Sequence, residues 1–312
     1  MRSKQMKEEE VAVRQDVEFQ TEDGTTLRGW RYSVDGDQAR PGIVMTHGFS
    51  ATKEMYLDDF ASVFHDAGFE VLVYDNRNLG ESDSPVPGEI DPWQQVRDYR
   101  DAITWFGAQD GVDSDRIGVW GSSYSGAHVL VVAAIDRRVR CVVSQVPLTS
   151  GLGSAQRLVR SDFWEGLRAG FDADRRARLA GEPPATIKVA FETASDEPAA
   201  LPTQDTHDFF FGPIRKRATT WRNEVTLRSV ELFTEYEPHV YMDRISPTPL
   251  MMVVASKDVL VPPDLAIAAY QKALEPKQLL VVPGGHFEAY IDSAFQISAP
   301  AQLQWFTQHL AS

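Results

Sequence analysis

The sequence has 312 residues, of which 43% are hydrophobic, and its 45 acidic and 31 basic residues give a formal net charge of −14 at pH 7. This length and apolar content are sufficient for a full core and exceed the usual size of one domain, so we expect one large domain with a smaller insertion. The negative charge argues against nucleic acid as a partner, because a polyanion is bound by clusters of Lys and Arg.

The ends and the unusual residues of the chain exclude several further classes. Residues 1–10 are charged and lack the apolar stretch of a secretory signal, so they are interpreted as an N-terminal tail. No apolar run reaches the roughly 18 residues of a membrane span, and we expect a cytoplasmic location without membrane insertion. The single cysteine, Cys141, cannot form an intramolecular disulfide. Neither CxxC nor HExxH occurs, so no metal and no cofactor is expected.

The first half of the chain alternates between strand and helix patterns. An opening antiparallel hairpin is predicted at residues 11–20 and 25–32. Short apolar runs typical of a sheet covered on both faces follow at residues 42–45, 71–74, 117–120 and 139–146. Helical patterns lie between these runs at residues 57–67, 92–109 and 124–135. The alternation predicts an α/β fold with a mostly parallel central sheet flanked by helices.

The alternation stops near residue 149 and resumes near residue 247. We therefore predict a core domain of residues 11–148 and 247–312, with residues 149–246 as a largely helical insertion before the last two strands. A long insertion at the edge of a catalytic sheet is usually a lid, and its aromatic residues favour a roof over an apolar pocket. The alternative is that these aromatic residues form the small core of the insertion itself.

The segment 116–130 has the pattern of a strand, a tight turn and a helix, with Ser123 at the turn. This is the setting of a nucleophile elbow, where only small residues fit two positions to either side of the serine. Gly121 meets that demand, while Ser125 stands where the usual pattern has glycine. Ser122 and Ser125 are weaker candidate nucleophiles, since neither has small residues on both sides at the needed spacing.

Two other functions are compatible with parts of this pattern. A phosphate-binding loop has the same glycine spacing but requires Lys and then Ser or Thr, where this chain has Ala127 and His128. A serine-rich turn that only caps a helix is the simpler structural alternative.

A reactive serine needs a base and a carboxylate, which in this kind of sheet follow in the chain order Ser, Asp or Glu, His. His286 follows the apolar run 279–282 in a glycine-containing loop, and Asp258 follows the run 251–255. Both lie after a predicted strand, at the edge where open parallel sheets place their sites. Asp264 is the reserve carboxylate. A surface or packing role is expected for the histidines at positions 65, 128, 207, 239 and 309.

The oxyanion hole is predicted from the loop after the run 43–46, which begins with His47-Gly48. The amide of Phe49 would act together with that of Tyr124, which begins the helix after the serine. His47 is expected to shape this loop by hydrogen bonding. The substrate pocket is predicted to be lined by five aromatic residues: Tyr56, Phe163, Trp164, Trp221 and Phe287.

Together these motifs resemble the α/β-hydrolase superfamily across nearly the whole chain. The resemblance rests on His47-Gly48, Asp75-x-Arg77-x-x-Gly80-x-Ser82, the elbow at Ser123, Asp258 with Pro262, and Gly285-His286. Residues 74–80, 90–99 and 136–139 are similar to the group that contains polyketide transferases, thiohydrolases and esterase-like proteins. The Gly-x-Ser-Tyr element is more distantly similar to cocaine-esterase-like and X-Pro dipeptidyl-peptidase enzymes. The resemblance implies acyl transfer from an ester or a thioester.

The expected function is a serine hydrolase that cleaves an apolar or aromatic small-molecule ester through an acyl-enzyme intermediate. The first alternative is an acyltransferase or thioesterase that acts on a polyketide or another acyl thioester. The second is a binding protein without catalysis on a hydrolase fold. The oligomeric state is not fixed by the sequence, which leaves a homodimer open.

Overall fold

The computed structural model describes residues 14–36, 38–193 and 198–311. The predicted tail of residues 1–10, and residues 11–13 of the predicted first strand, lie outside the described residues. The strands, numbered β1 to β10 in chain order, are Arg14–Gln20, Thr26–Tyr32, Arg40–Thr46, Glu70–Tyr74, Val112–Ser122, Val139–Gln145, Thr186–Ile187, Val225–Thr226, Leu250–Ala255 and Lys277–Val282. The α-helices, numbered α1 to α10, are Leu57–Asp66, Pro92–Gly107, Tyr124–Ile135, Gly151–Leu158, Trp164–Leu179, Gln204–Phe211, Ile214–Arg217, Leu227–Glu235, Pro263–Lys272 and Asp292–Leu310.

The described residues form an eight-stranded sheet in the spatial order β1-β2-β4-β3-β5-β6-β9-β10. The first two pairings, β1 with β2 and β2 with β4, are antiparallel, and the remaining pairings are parallel. This confirms the predicted α/β fold with a mostly parallel sheet and an opening hairpin. Because β3, β5, β9 and β10 run in the same direction, the loops that follow them meet at one edge of the sheet.

The core lies on both faces of the sheet. Every residue of β4 is buried, and since successive side chains of a strand point to opposite faces, both faces are covered. Helix α1 packs against α10, and α2 packs against α3. Trp120 of β5 contacts Phe60 of α1, with their ring centroids 5.2 Å apart, and its indole N–H donates to Gln302 of α10 at 2.6 Å. These contacts hold the sheet that carries the loops of the site.

The described part of the segment 149–246 adds no strand to the large sheet. It contains α4 to α8 and the two-residue strands β7 and β8, which pair only with each other. The last two strands, β9 and β10, follow it. The role of this segment as a lid stays a prediction. Among the described helices, none combines the length and the apolar character needed to cross a membrane.

Candidate active site

Ser123 lies between β5 and α3 with φ 58° and ψ −114°, a backbone conformation that L-residues rarely adopt. Its amide donates to the carbonyl of Gln145 at 2.8 Å, and its carbonyl accepts from the amide of Leu148 at 3.1 Å. A side chain at Gly121 would put its Cβ 2.1 Å from the carbonyl oxygen of Ser125, so only glycine fits there. The turn is therefore held tightly by the neighbouring strand and fits the predicted elbow.

His286 and Asp258 extend from this serine as a chain of hydrogen bonds. His286 Nε2 lies 3.0 Å from Ser123 Oγ, and His286 Nδ1 lies 2.7 Å from Asp258 Oδ2. A carboxylate only accepts hydrogen bonds, so Nδ1 carries the proton and Nε2 is left as the acceptor for the serine hydroxyl. His286 is 2% exposed and Asp258 5% exposed, which keeps the arrangement largely away from water.

The carboxylate of Asp258 is fixed by its own loop. Its second oxygen, Oδ1, accepts from the amides of Leu260 and Val261, both at 2.9 Å. The reserve carboxylate, Asp264, instead makes two hydrogen bonds with Arg157, at 2.5 and 2.6 Å, where both side chains are exposed. The structure thus brings Ser123, Asp258 and His286 together and leaves Asp264 outside.

The loop that contains Phe49 passes directly over the serine. A Cβ built on Gly48 would lie 2.7 Å from the Cβ of Ser123 and 3.1 Å from its Oγ, so a side chain there would collide with the nucleophile. Neither the Phe49 amide nor the Tyr124 amide donates a hydrogen bond to another part of the described chain. Tyr124 is the first residue of α3, where amides have no partner within the helix. Both amides are therefore free to hold a negatively charged oxygen.

His47 shapes this loop from inside the protein. Its ring is buried, and burial is the main cause that lowers its pKa below the ordinary value of 6.5. The amide of Asn76 donates to Nε2 at 3.0 Å, so the neutral ring carries its proton on Nδ1, which faces the carbonyl of Gly48 at 3.0 Å. The imidazole acts as a fixed link between the loop after β3 and the loop after β4.

A cavity of about 40 Å³ lies beside Ser123 and His286. This volume holds only a few water molecules, whereas pockets for drug-sized ligands measure about 300–1,000 Å³. Most of its wall is apolar. Besides Ser123, His286 and residues 47–49, the lining residues are Ala51, Met55, Leu57, Tyr124, Leu148, Leu158, Leu201, Phe209, Phe210, Phe233, Leu260, Val261, Phe287 and Tyr290.

Of the five predicted pocket residues, only Phe287 lines this cavity. Phe163 is 57% exposed, beneath the guanidinium of Arg160 at 4.7 Å from its ring centroid. Trp164 lies one residue further along, under Arg168. Neither residue lines the cavity beside Ser123, because both lie at the start of α5, where Phe163 is exposed and Trp164 is only partly buried.

The predicted residues Tyr56 and Trp221 also lie outside the cavity wall. The ring of Tyr56 is covered by the guanidinium of Arg217, 4.6 Å from its centroid, so its hydroxyl is not among the groups at the serine. Trp221 stacks on the outer side of the wall against Phe210, with ring centroids 4.6 Å apart. Both residues support the wall rather than form it.

The five predicted pocket residues leave out the aromatic residues of the segment 149–246 that line the cavity. Phe209 and Phe210 of α6 line the cavity, and Phe209 stacks on Phe287 with ring centroids 4.2 Å apart. The run of three phenylalanines at residues 209–211 was the available signal. Tyr290 was also missed; its hydroxyl shares a hydrogen bond of 2.5 Å with Ser122, the neighbour of the nucleophile.

Comparison with known proteins gives the same fold. A sequence profile described as the alpha/beta hydrolase fold matches residues 41–294. A thiohydrolase of Eupenicillium brefeldianum is 33% identical over 298 residues, which cover 94% of each chain.

Two solved structures agree closely with this chain. The α/β-hydrolase GrgF from Penicillium sp. sh18 has a TM-score of 0.82 at 31% identity and covers 96% of this chain and 99% of its own. The complex of DcsB with its substrate analogue has a TM-score of 0.84 at 28% identity and covers 96% of this chain and 100% of its own. The chain therefore belongs to the α/β-hydrolase family.

Proposed function

We propose that this chain is a serine hydrolase that cleaves an ester of an apolar acyl group through an acyl-enzyme intermediate on Ser123. The observation that carries the proposal is the continuous path from Ser123 Oγ to His286 at 3.0 Å and from His286 to Asp258 at 2.7 Å. This path is the arrangement by which a serine hydroxyl, unreactive on its own, becomes a nucleophile.

The reaction follows from the positions of these groups. His286 Nε2 takes the proton of Ser123 as its oxygen attacks the carbonyl carbon, and Asp258 stabilises the imidazolium that forms. The amides of Phe49 and Tyr124 hold the oxygen that becomes negative. His286 then gives its proton to the leaving oxygen, which leaves the acyl group on Ser123. A water molecule, deprotonated by His286, releases the acid and restores the serine.

The wall of the cavity supports an apolar acyl group. Phe209, Phe287 and Leu201 offer no hydrogen-bond partner to a charged substrate, and burying a charge there would be costly. The small cavity accepts only a short acyl group unless residues of the segment 149–246 move. This segment supplies Phe209, Phe210 and Phe233, so its movement as a lid would enlarge the site.

A second candidate is the hydrolysis or transfer of an acyl thioester by the same residues. It is favoured by the names of two relatives: the thiohydrolase described above, and a polyketide transferase of a Penicillium species that is 30% identical over 299 residues. A narrow apolar site also disfavours water as the acceptor, and so favours transfer to an alcohol.

The test combines labelling with product analysis. A fluorophosphonate probe should label the wild-type chain at Ser123, while Ser123→Ala should remain unlabelled, folded and inactive on nitrophenyl esters. A folded wild-type chain that is neither labelled nor able to turn over any ester or thioester would support a binding protein instead. Matched acyl esters and acyl thioesters, supplied with water and an alcohol in competition, distinguish the two candidates by the ratio of acid to transfer product.

A further inference from the structure

Ser125 occupies the position where the usual elbow pattern has glycine, and its side chain makes a specific long-range contact. The residue is fully buried in the first turn of α3. Its hydroxyl donates to the backbone carbonyl of His47, which lies 78 residues earlier in the chain. This contact joins the helix that begins after the nucleophile to the loop after β3.

The carbonyl of His47 lies two residues before the amide of Phe49. It accepts a second hydrogen bond from the side-chain amide of Asn76 at 3.2 Å. Gly48, which lies between the His47 carbonyl and the Phe49 amide, passes within contact distance of Ser123. A small shift of this loop therefore changes the distance from the Phe49 amide to the reacting carbonyl. A glycine at position 125 has no side chain with which to hold the loop.

We infer that Ser125 is a positioning residue that fixes the loop carrying the Phe49 amide against the nucleophile. This inference rests on the proposed function, because it assigns Ser125 a part in holding the oxyanion. Donors in an oxyanion hole act through pre-organisation, so they are effective only where their positions are fixed before the reaction. Ser125 fixes one donor, Phe49, relative to the helix that supplies the other, Tyr124.

The expected size of the effect follows from this role. Removing one oxyanion donor outright lowers kcat by about 10²–10³, and loosening one that stays in place should cost less, about tenfold. The loss should fall on kcat and leave KM nearly unchanged, because the contact strengthens as the carbonyl oxygen becomes negative. A substitution that only disturbed packing would have no reason to lower kcat while leaving KM unchanged.

The experiment compares Ser125→Ala and Ser125→Gly with the matched control Ser144→Ala. Ser144 is also fully buried, and its hydroxyl donates to the carbonyl of Gly126 in the same helix at 2.8 Å, away from the oxyanion loop. The Ser125 variants should lose about tenfold in kcat. They should also bind an alkylboronic acid, whose adduct with Ser123 is tetrahedral, more weakly by the same factor. Ser144→Ala should keep the wild-type kcat and the wild-type affinity for the boronic acid.

Two results would overturn the inference while leaving the proposed function in place. One is a wild-type enzyme that turns over esters and Ser125 variants that match it in kcat and in boronate affinity. The other is an equal loss of kcat in Ser144→Ala, which would make the effect one of general packing. Failure of the wild-type chain itself to turn over esters and thioesters or bind the boronate would overturn both the proposed function and this inference. If Ser125→Ala does not fold, Ser125→Gly, which restores the usual pattern, decides the outcome.

Discussion

Asp258 holds His286 with one carboxylate oxygen, 2.7 Å from Nδ1, while its other oxygen accepts from the amides of Leu260 and Val261. The carboxylate is therefore oriented before any substrate binds. An amide in its place could present an N–H to Nδ1 and favour the wrong tautomer of the imidazole.

Asp258→Asn should lower kcat by about 10²–10⁴, and His286→Ala should lower it further because the base itself is removed. The measurement is kcat on an activated nitrophenyl ester. Asp264→Asn is the control, since Asp264 pairs with the exposed Arg157 and should keep the wild-type kcat. A larger loss in Asp264→Asn than in Asp258→Asn would reverse the assignment of the carboxylate.

The size of the acyl group should be set by Phe209, whose ring stacks on Phe287 at 4.2 Å and lines the cavity. Phe209→Ala opens space next to the serine, so the ratio of kcat/KM for long over short acyl esters should rise by about tenfold. Phe163→Ala removes the same ring from a side chain that is 57% exposed and should leave the ratio unchanged. An effect at position 163 equal to that at 209 would contradict this view of the pocket.

The sheet and the three proposed catalytic residues could be predicted because their signals are local. Ser123, Asp258 and His286 each follow a short apolar strand at a loop, and parallel strands bring such loops to one edge. The chain order Ser, Asp or Glu, His then restricts which carboxylate and which histidine can act together with the serine. None of these steps requires knowledge of how distant helices pack.

The wall of the pocket could not be predicted because it depends on tertiary packing. Phe163 and Phe209 are both aromatic residues near helices of the segment 149–246, yet one is exposed and the other is buried against Phe287. The positioning role that we infer for Ser125 depends on tertiary packing in the same way. The elbow pattern requires only a small residue at position 125, and it gives no information about a hydrogen-bond partner 78 residues away.

Arg217 joins the segment 149–246 to the core and should keep the small cavity closed. Its guanidinium donates to Asp58 at 2.6 Å, to Asp59 at 2.9 Å and to the carbonyl of Glu54 at 3.0 Å. Arg217→Gln should lower the free energy of unfolding by about 1 kcal/mol, because these pairs are partly exposed. It should also speed the turnover of long-chain esters.

The control for Arg217→Gln is Arg116→Gln, which breaks a pair of 2.7 Å with Asp113 away from the cavity. Urea unfolding and kcat/KM on a series of acyl esters check both effects. If the two variants gave the same change in the long-chain rate, Arg217 would have no specific part in closing the site.

His128 should make the stability of the fold sensitive to acid. Its ring is fully buried in α3; its Nε2 lies 2.9 Å from Gln95 Oε1, and its Nδ1 lies 3.1 Å from the hydroxyl of Tyr236. The amide oxygen of Gln95 only accepts, so Nε2 carries the proton, Nδ1 accepts from Tyr236, and the neutral ring is satisfied on both sides. Burial lowers the pKa of His128 from 6.5 to about 3.

Between pH 6.5 and 3 the unfolded chain therefore binds a proton at residue 128 that the folded chain does not, so stability is full above pH 6.5 and falls as the pH drops. At pH 5 the loss from this residue should be about 2 kcal/mol. His128→Gln should be less stable at pH 8 but lose about 2 kcal/mol less than the wild type between pH 8 and pH 5. Ser144→Ala removes a buried hydrogen bond but no titrating group. In urea unfolding, its free energy of unfolding should therefore lie below that of the wild type by the same amount at pH 8 and at pH 5. If His128→Gln lost as much free energy of unfolding as the wild type between pH 8 and pH 5, the buried imidazole would not be a source of the acid sensitivity.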